Sequence, residues 1–201
     1  MALMLGNYVQ LRFLDVAYTN GRITDESLKH LTDCTDLRCL NVGFTEGGIT
    51  DESLKIVVAQ CRQLRRLDVC MTSGITDASI AIVGAICVQL RVLHVGSTNG
   101  AITDESIKIV AKNCPQLCSL SVSDTKGRIT DDSISVVGSN CRQLESLDVS
   151  FTNGKITDEV IAIVAANCLV LHSLNAHGTE GKITQSSLCL LPKSCRDLLS
   201  E

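Results

Sequence analysis

The sequence predicts an α/β solenoid, a single domain over residues 1–201 in which one strand–turn–helix coil is repeated about seven times. Three observations predict it. A cysteine returns at Cys34, Cys61, Cys87, Cys114, Cys141, Cys168 and Cys195, at intervals of 27 residues with one of 26. It carries fixed neighbours. With the cysteine as slot 1, leucine fills slots 4 and 7, valine slot 9, threonine slot 12, glycine slot 14 and Ile-Thr-Asp slots 16 to 18, as from Cys141 to Asp158. Within each unit a two-residue hydrophobic period gives way to a helical one. Units start near residues 8, 34, 61, 87, 114, 141 and 168, the first with Tyr8 in place of cysteine, and a stub runs over 195–201.

Each element follows from its slots. Slots 7 to 9, such as Leu67-Asp68-Val69, alternate apolar, polar, apolar, which predicts a short strand with one buried face. Slot 12 is threonine in every unit (Thr19, Thr45, Thr72, Thr98, Thr125, Thr152, Thr179) and suits a buried ladder whose hydroxyls bond to backbone of the adjoining turn. Glycine at slot 14, from Gly21 and Gly47 to Gly181, serves the turn, where positive φ is easiest without a Cβ. Slots 17 to 26, such as Thr103 to Lys112, begin with a capping threonine and acidic residues. Apolar side chains at slots 21 and 24 and the next cysteine then form one buried helical stripe. The acid at slot 18 is Asp25, Asp51, Asp77, Asp104, Asp131 and Asp158, with Gln185 in the last full unit. A lone coil leaves both flanks uncovered, so the units must stack into one elongated body.

The order Cys-x-x-Leu-x-x-Leu-x-Val, followed by Ile-Thr-Asp and an apolar helix, resembles the cysteine-containing class of leucine-rich repeats. That class is familiar from the substrate-binding halves of F-box proteins and from Amn1-like proteins. The resemblance covers residues 8–201. It implies an α/β leucine-rich repeat solenoid, a right-handed β-α superhelix with a parallel sheet on its concave side and helices on its convex side. It also implies a protein-interaction role, in the sharper form of substrate recognition for a ubiquitin ligase. The chain departs from the class in two ways. Threonine stands at slot 12 where a second cysteine is usual, and only the unit from Cys61 to Ile86 has the shorter spacing between that slot and Ile-Thr-Asp. An F-box would need a helical segment ahead of the repeats, where this sequence has only Met1 to Asn7.

Composition sets limits. A net charge of -4 and a pI near 5.6 argue against non-specific nucleic-acid binding, which needs a basic face. No apolar run approaches the ~20 residues that span a bilayer, and Met1 to Leu5 is too short for a secretory signal. The eleven cysteines contain no Cys-x-x-Cys pair. The ladder thiols are expected to pack as small apolar groups, with Cys39 and Cys70 as exposed thiols and Cys118 and Cys189 in unrelated slots. An intracellular, reducing and cytoplasmic location is expected.

No catalytic residue, metal or cofactor is expected. Gly154-Lys155-Ile156-Thr157 and Gly181-Lys182-Ile183-Thr184 imitate a phosphate loop, but isoleucine separates lysine from threonine and both belong to the repeat turn. Cys168, His172 and His177 could suggest a metal, yet the first is a ladder residue and the histidines share one strand region.

Function is therefore sought in what is not repeated. Slots 6, 8 and 10 should face outward on the sheet, presenting Phe13 and Asp15, Asn41, Arg66 and Asp68, and His94, with acids in the middle column at Asp15, Asp68 and Asp148. Slot 11 holds Tyr18, Phe44, Met71 and Phe151, and slot 5 gives Arg12, Arg38, Arg65 and Arg91. Aromatics and methionine near arginines have the composition of a protein or peptide binding hot spot. The alternatives are that slot 11 packs onto neighbouring turns and that slot 5 is a solvated charge row. A different class of function is self-association through the ends, since Met1-Ala2-Leu3-Met4-Leu5 and Leu198-Leu199 are apolar and no polar cap is evident.

Overall fold

The computed structural model describes residues 10–45, 48–192 and 195; Tyr8, Gly47, Met1 to Leu5, Leu198 and Leu199 lie outside them. Among the described residues seven strands alternate with seven α-helices. In order they are β1 (Phe13–Asp15), α1 (Asp25–Leu28), β2 (Cys39–Asn41), α2 (Asp51–Gln60), β3 (Arg66–Asp68), α3 (Asp77–Ile86) and β4 (Val92–His94). There follow α4 (Asp104–Asn113), β5 (Ser119–Ser121), α5 (Asp131–Asn140), β6 (Ser146–Asp148), α6 (Asp158–Asn167), β7 (Ser173–Asn175) and α7 (Gln185–Leu188). The strands form one parallel sheet in sequence order, in a register that sets each slot beside the same slot of the next coil. Leu14, Leu40, Leu67, Leu93, Leu120, Leu147 and Leu174 thus make one row.

The strands occupy slots 6 to 8, one residue earlier than the alternation predicts. The cause is the slot-5 carbonyl, which accepts two successive N–H groups of the next coil: Arg38 O receives Arg65 N (2.7 Å) and Arg66 N (3.0 Å), and pairing begins there. Slot 9 keeps its predicted inward orientation, with Val42, Val69, Val95, Val122 and Val149 buried. In the first coil α1 gives way to a 3₁₀ segment, Lys29–Asp33. That coil has one residue fewer than most, and the longer rise of a 3₁₀ turn covers the same height. The last helix, α7, ends at Leu188, four residues before Pro192, which has no N–H to offer its carbonyl.

Three ladders tie the coils together. Slot-12 threonines are buried from Thr45 to Thr152, each hydroxyl donating to the slot-9 carbonyl of its own coil, as Thr45 to Val42 O (2.9 Å) and Thr152 to Val149 O (2.9 Å). Thr72, in the short coil, instead reaches back to Val42 O of the preceding coil (3.2 Å). The cysteines form a second ladder in which each thiol from Cys61 to Cys168 donates to the slot-1 carbonyl before it, Cys61 to Cys34 O at 3.1 Å and Cys168 to Cys141 O at 3.5 Å. All eleven cysteines are present as thiols.

The third ladder joins slot 17 to slot 18. Asp104 accepts the Thr130 N–H (2.9 Å) and its hydroxyl (2.6 Å), while the same hydroxyl oxygen caps α5 by accepting from Asp132 N (3.2 Å). The same pair of bonds runs from Thr50 to Asp25, Thr76 to Asp51, Thr103 to Asp77, Thr157 to Asp131 and Thr184 to Asp158. One Thr-Asp dipeptide therefore starts a helix and clamps two coils, a role beyond the capping that the sequence suggests.

Burial pushes the thiols of Cys61, Cys87 and Cys141 up to about 12 and those of Cys114 and Cys168 up to about 11. Since the thiolate is the reactive form, iodoacetamide at mildly alkaline pH labels exposed Cys189 in the folded chain. The ladder is labelled only after unfolding, as peptide mass mapping before and after urea addition checks. Cys39 and Cys70 are half-buried and not the exposed thiols the slot count suggests, and burial beside the Asp68 charge pushes Cys70 up to about 12.

Helices pack closely where a glycine lies on the buried stripe. A Cβ on Gly84 of α3 would stand 2.9 Å from Val110 Cα of α4, backbone that cannot turn aside. Gly84→Val is expected to cost about 2 kcal/mol by overpacking, read from the urea midpoint.

Candidate interaction face and rim

The concave face is built on slot 8. Its side-chain oxygens turn the chain at the strand ends by accepting the N–H two residues on: Asp15 from Ala17 (3.0 Å), Asn41 from Gly43 (3.1 Å), Asp68 from Cys70 (3.1 Å), Asp148 from Ser150 (3.0 Å) and Asn175 from His177 (3.2 Å). Aspartate and asparagine do this equally, so the structural role needs an oxygen and not a charge. The turn also corrects the expectation for slot 10. Gly43, Gly96 and Ser150 there are buried, because the chain bends against the next coil.

Across the face the slot-8 side chains bond in pairs. Asn41 Nδ2 donates to Asp15 Oδ2 (3.1 Å), and His94 Nδ1 lies 3.1 Å from Asp68 Oδ2. His94 Nε2 lies 3.3 Å from Ser119 Oγ on β5, a residue that no sequence signal singles out. Burial opposes ionisation of Asp68, but the hydrogen bonds from His94 and the Cys70 N–H outweigh it and hold the carboxyl below the usual carboxylate range. Phe13 is 66% exposed at the start of β1, and Arg66 is exposed at the start of β3.

The rim is formed by slot 11. Every residue there has left-handed backbone: Tyr18 (φ 56°), Phe44 (58°), Met71 (54°), Ser97 (55°), Asp124 (48°), Phe151 (54°) and Gly178 (66°). Left-handed residues are normally glycine, asparagine or aspartate, and a large side chain there costs roughly 1 kcal/mol or more. Tyr18 is nonetheless 70% exposed, Met71 50% and Phe151 51%, while Phe44 is half-buried with its ring stacked on Tyr18 at 4.2 Å and 16°. Tyr18, Phe44 and Met71 thus stand in the turns that follow β1, β2 and β3, in three consecutive coils, and Phe151 stands apart against His177 (5.4 Å). Slot 13 is left-handed as well, at Asn20, Asn99, Lys126, Asn153 and Glu180. The recurrence of asparagine there is the one sequence signal for this backbone.

Arg12 and Arg91 are exposed and Arg38 and Arg65 half-buried, and the slot-5 row continues as Cys118, Glu145 and His172, the last two 3.7 Å apart. Cys168 is buried in the ladder whereas His177 is exposed at the rim, and the described residues hold no group of three potential ligands for a metal. No described helix is long and apolar enough to cross a membrane.

No family profile and no curated protein matches the chain by sequence. Among solved structures it is similar to a chain from the crystal structure of the Rad7 and Elc1 complex in yeast, at 22% identity and a TM-score of 0.65. The match covers 85% of this chain and 51% of the other, so the protein spans about half the length of that neighbour. At this identity the likeness speaks for the fold. The fold is an α/β leucine-rich repeat solenoid. In this solenoid the identical slots build the scaffold, and the varied ones, slots 5, 6, 8 and 11, give each coil its own surface.

Proposed function

We propose that the solenoid is a non-catalytic protein-interaction module that presents the rim of β1–β3, with Tyr18, Phe44 and Met71, and the adjoining concave residues Phe13, Asp15, Asn41, Arg66, Asp68 and His94 to a protein or peptide. The observation that carries this reading is the row of large, largely exposed side chains in left-handed backbone. Three of the four other coils fill the same slot with Ser97, Asp124 and Gly178, the fourth with Phe151, so the fold does not require large side chains there. Large apolar and aromatic anchors at a surface are the usual source of interface energy. The structural neighbour, solved in a complex of two proteins, is in keeping with such a role. Substrate recognition in a ubiquitin-ligase setting is the narrower form, and it rests on the resemblance to F-box-associated repeats. The thiol-rich core suits a reducing compartment.

Affinity capture from cell extract, with the chain beside its Tyr18→Asn/Phe44→Asn/Met71→Asn variant, tests the reading. A protein held by the first and lost by the folded variant supports it; equal capture by both removes the rim from the interface.

Self-association is the second reading, favoured by exposed Leu169, Val170 and Leu190 in the last described coil. Its apolar end segments lie outside the described residues. A solution mass equal to one chain across a wide concentration range would exclude it.

A further inference from the structure

Three consecutive strands bring Asp68, His94 and Ser119 into one hydrogen-bonded line on the concave face. Asp68 and His94 are direct partners of β3 and β4, and Ser119 lies diagonally across β5 within reach of the imidazole. The contacts run Asp68 Oδ2 to His94 Nδ1 (3.1 Å) and His94 Nε2 to Ser119 Oγ (3.3 Å). Asp68 Oδ1 is occupied by the Cys70 N–H, so the remaining oxygen fixes the ring and holds the proton on Nδ1. Nε2 is then left as an acceptor for the Ser119 hydroxyl, whose only hydrogen-bond partner among the described residues it is. Other serines of the face differ. Ser121 and Ser150 hydroxyls bond to the Asp148 carboxylate, and neither meets an imidazole.

From this geometry we propose that Ser119 is an activated nucleophile, a covalent modification site that accepts an acyl group from a donor with a weakly basic leaving group. Ser119 Oγ attacks the acyl carbon as His94 Nε2 takes its proton. The tetrahedral adduct collapses, the bond from carbon to the leaving oxygen breaks, and the imidazolium returns its proton to the leaving group or to water. Asp68 acts as a positioning residue through the ring. The Ser119 N–H is already committed to the Arg91 carbonyl (3.0 Å) and cannot join an oxyanion hole. The geometry therefore restricts the reaction to activated donors and favours a stable acyl-serine over rapid turnover. This site goes beyond the interaction role and does not depend on it.

The test is acylation of the full chain by p-nitrophenyl acetate, following p-nitrophenolate release and assigning the acetylated residue by fragmentation mass spectrometry. The expected result is about one acetyl group on Ser119, formed at least about tenfold faster than on Ser121 or Ser150. His94→Gln should slow it about tenfold or more, and Ser119→Ala should abolish it. Asp68→Asn keeps the oxygen that Asn41 and Asn175 supply in the same slot. It should slow acetylation of Ser119 while leaving that of Ser121 and Ser150 unchanged, which loss of fold would not do. Circular dichroism verifies each fold. Acetylation spread evenly over the serines of the face, or a Ser119 rate unchanged in folded His94→Gln, would overturn the proposal.

Discussion

Asp104→Ala lowers the stability of the chain by about 3 kcal/mol, because it removes the acceptor of two charge-assisted hydrogen bonds and leaves the Thr130 N–H and hydroxyl without it. The loss falls on the junction between the fourth and fifth coils. In a solenoid stability is nearly a sum of coil and nearest-neighbour terms, so a weakened junction separates the halves. Urea unfolding followed by far-UV circular dichroism should show an earlier transition that broadens or splits, and Asp104→Asn, which retains one acceptor oxygen, should lose less than half as much. Two of these clamps also respond to acid. At Asp25 burial opposes ionisation but is outweighed by the Ser53 and Thr50 hydrogen bonds and the Lys29 charge. At Asp158 the Ser187 and Thr184 hydrogen bonds stabilise the anion directly, and both carboxyls lie below the usual range. A depressed carboxyl contributes stability that is fully present above its unfolded value, about 3.9, and is lost as pH falls through the folded value. The first-to-second and sixth-to-seventh junctions should therefore weaken below about pH 4, measurable as hydrogen exchange in the terminal coils.

Exchanging Tyr18, Phe44 and Met71 together for asparagine is expected to abolish partner capture while leaving the fold intact. Asparagine already occupies left-handed backbone in this chain at Asn20, Asn99 and Asn153, so it relieves the conformational penalty of the larger residues. Against that stands the Tyr18–Phe44 stack, whose loss costs about 1 kcal/mol. The two effects nearly cancel for the ring pair, and at Met71, which has half its surface in water, relief should prevail. Loss of binding without loss of stability distinguishes a surface kept for a partner from a surface kept for packing.

The solenoid is legible in the sequence because periodicity along the chain maps directly onto stacking in space. Leu67, Val69, Thr72 and Cys61 recur at fixed slots, and each is buried against its counterparts. What the pattern does not convey is contact between slots of different coils. The aspartates of slot 18, such as Asp104, read as helix acids, yet their second role is a bond to the next threonine, visible only once the coil height is known. The same limit hides the Asp68–His94–Ser119 line, which joins three coils diagonally. Slot 10 departs from expectation for a local reason: strand alternation stops at the turn that Asp68 and its equivalents impose. For slot 11 the residue types are informative but the backbone is not, since tyrosine and phenylalanine give no hint of positive φ.

The most direct test of the central claim is the urea midpoint of the Tyr18→Asn/Phe44→Asn/Met71→Asn variant beside the parent chain. A midpoint equal to or above the parent's is predicted, because the row lies outside the core. Truncating three core side chains would instead cost at least about 6 kcal/mol in sum, and a midpoint lowered on that scale would contradict the account, making the row part of the packing and removing the ground for an interaction rim.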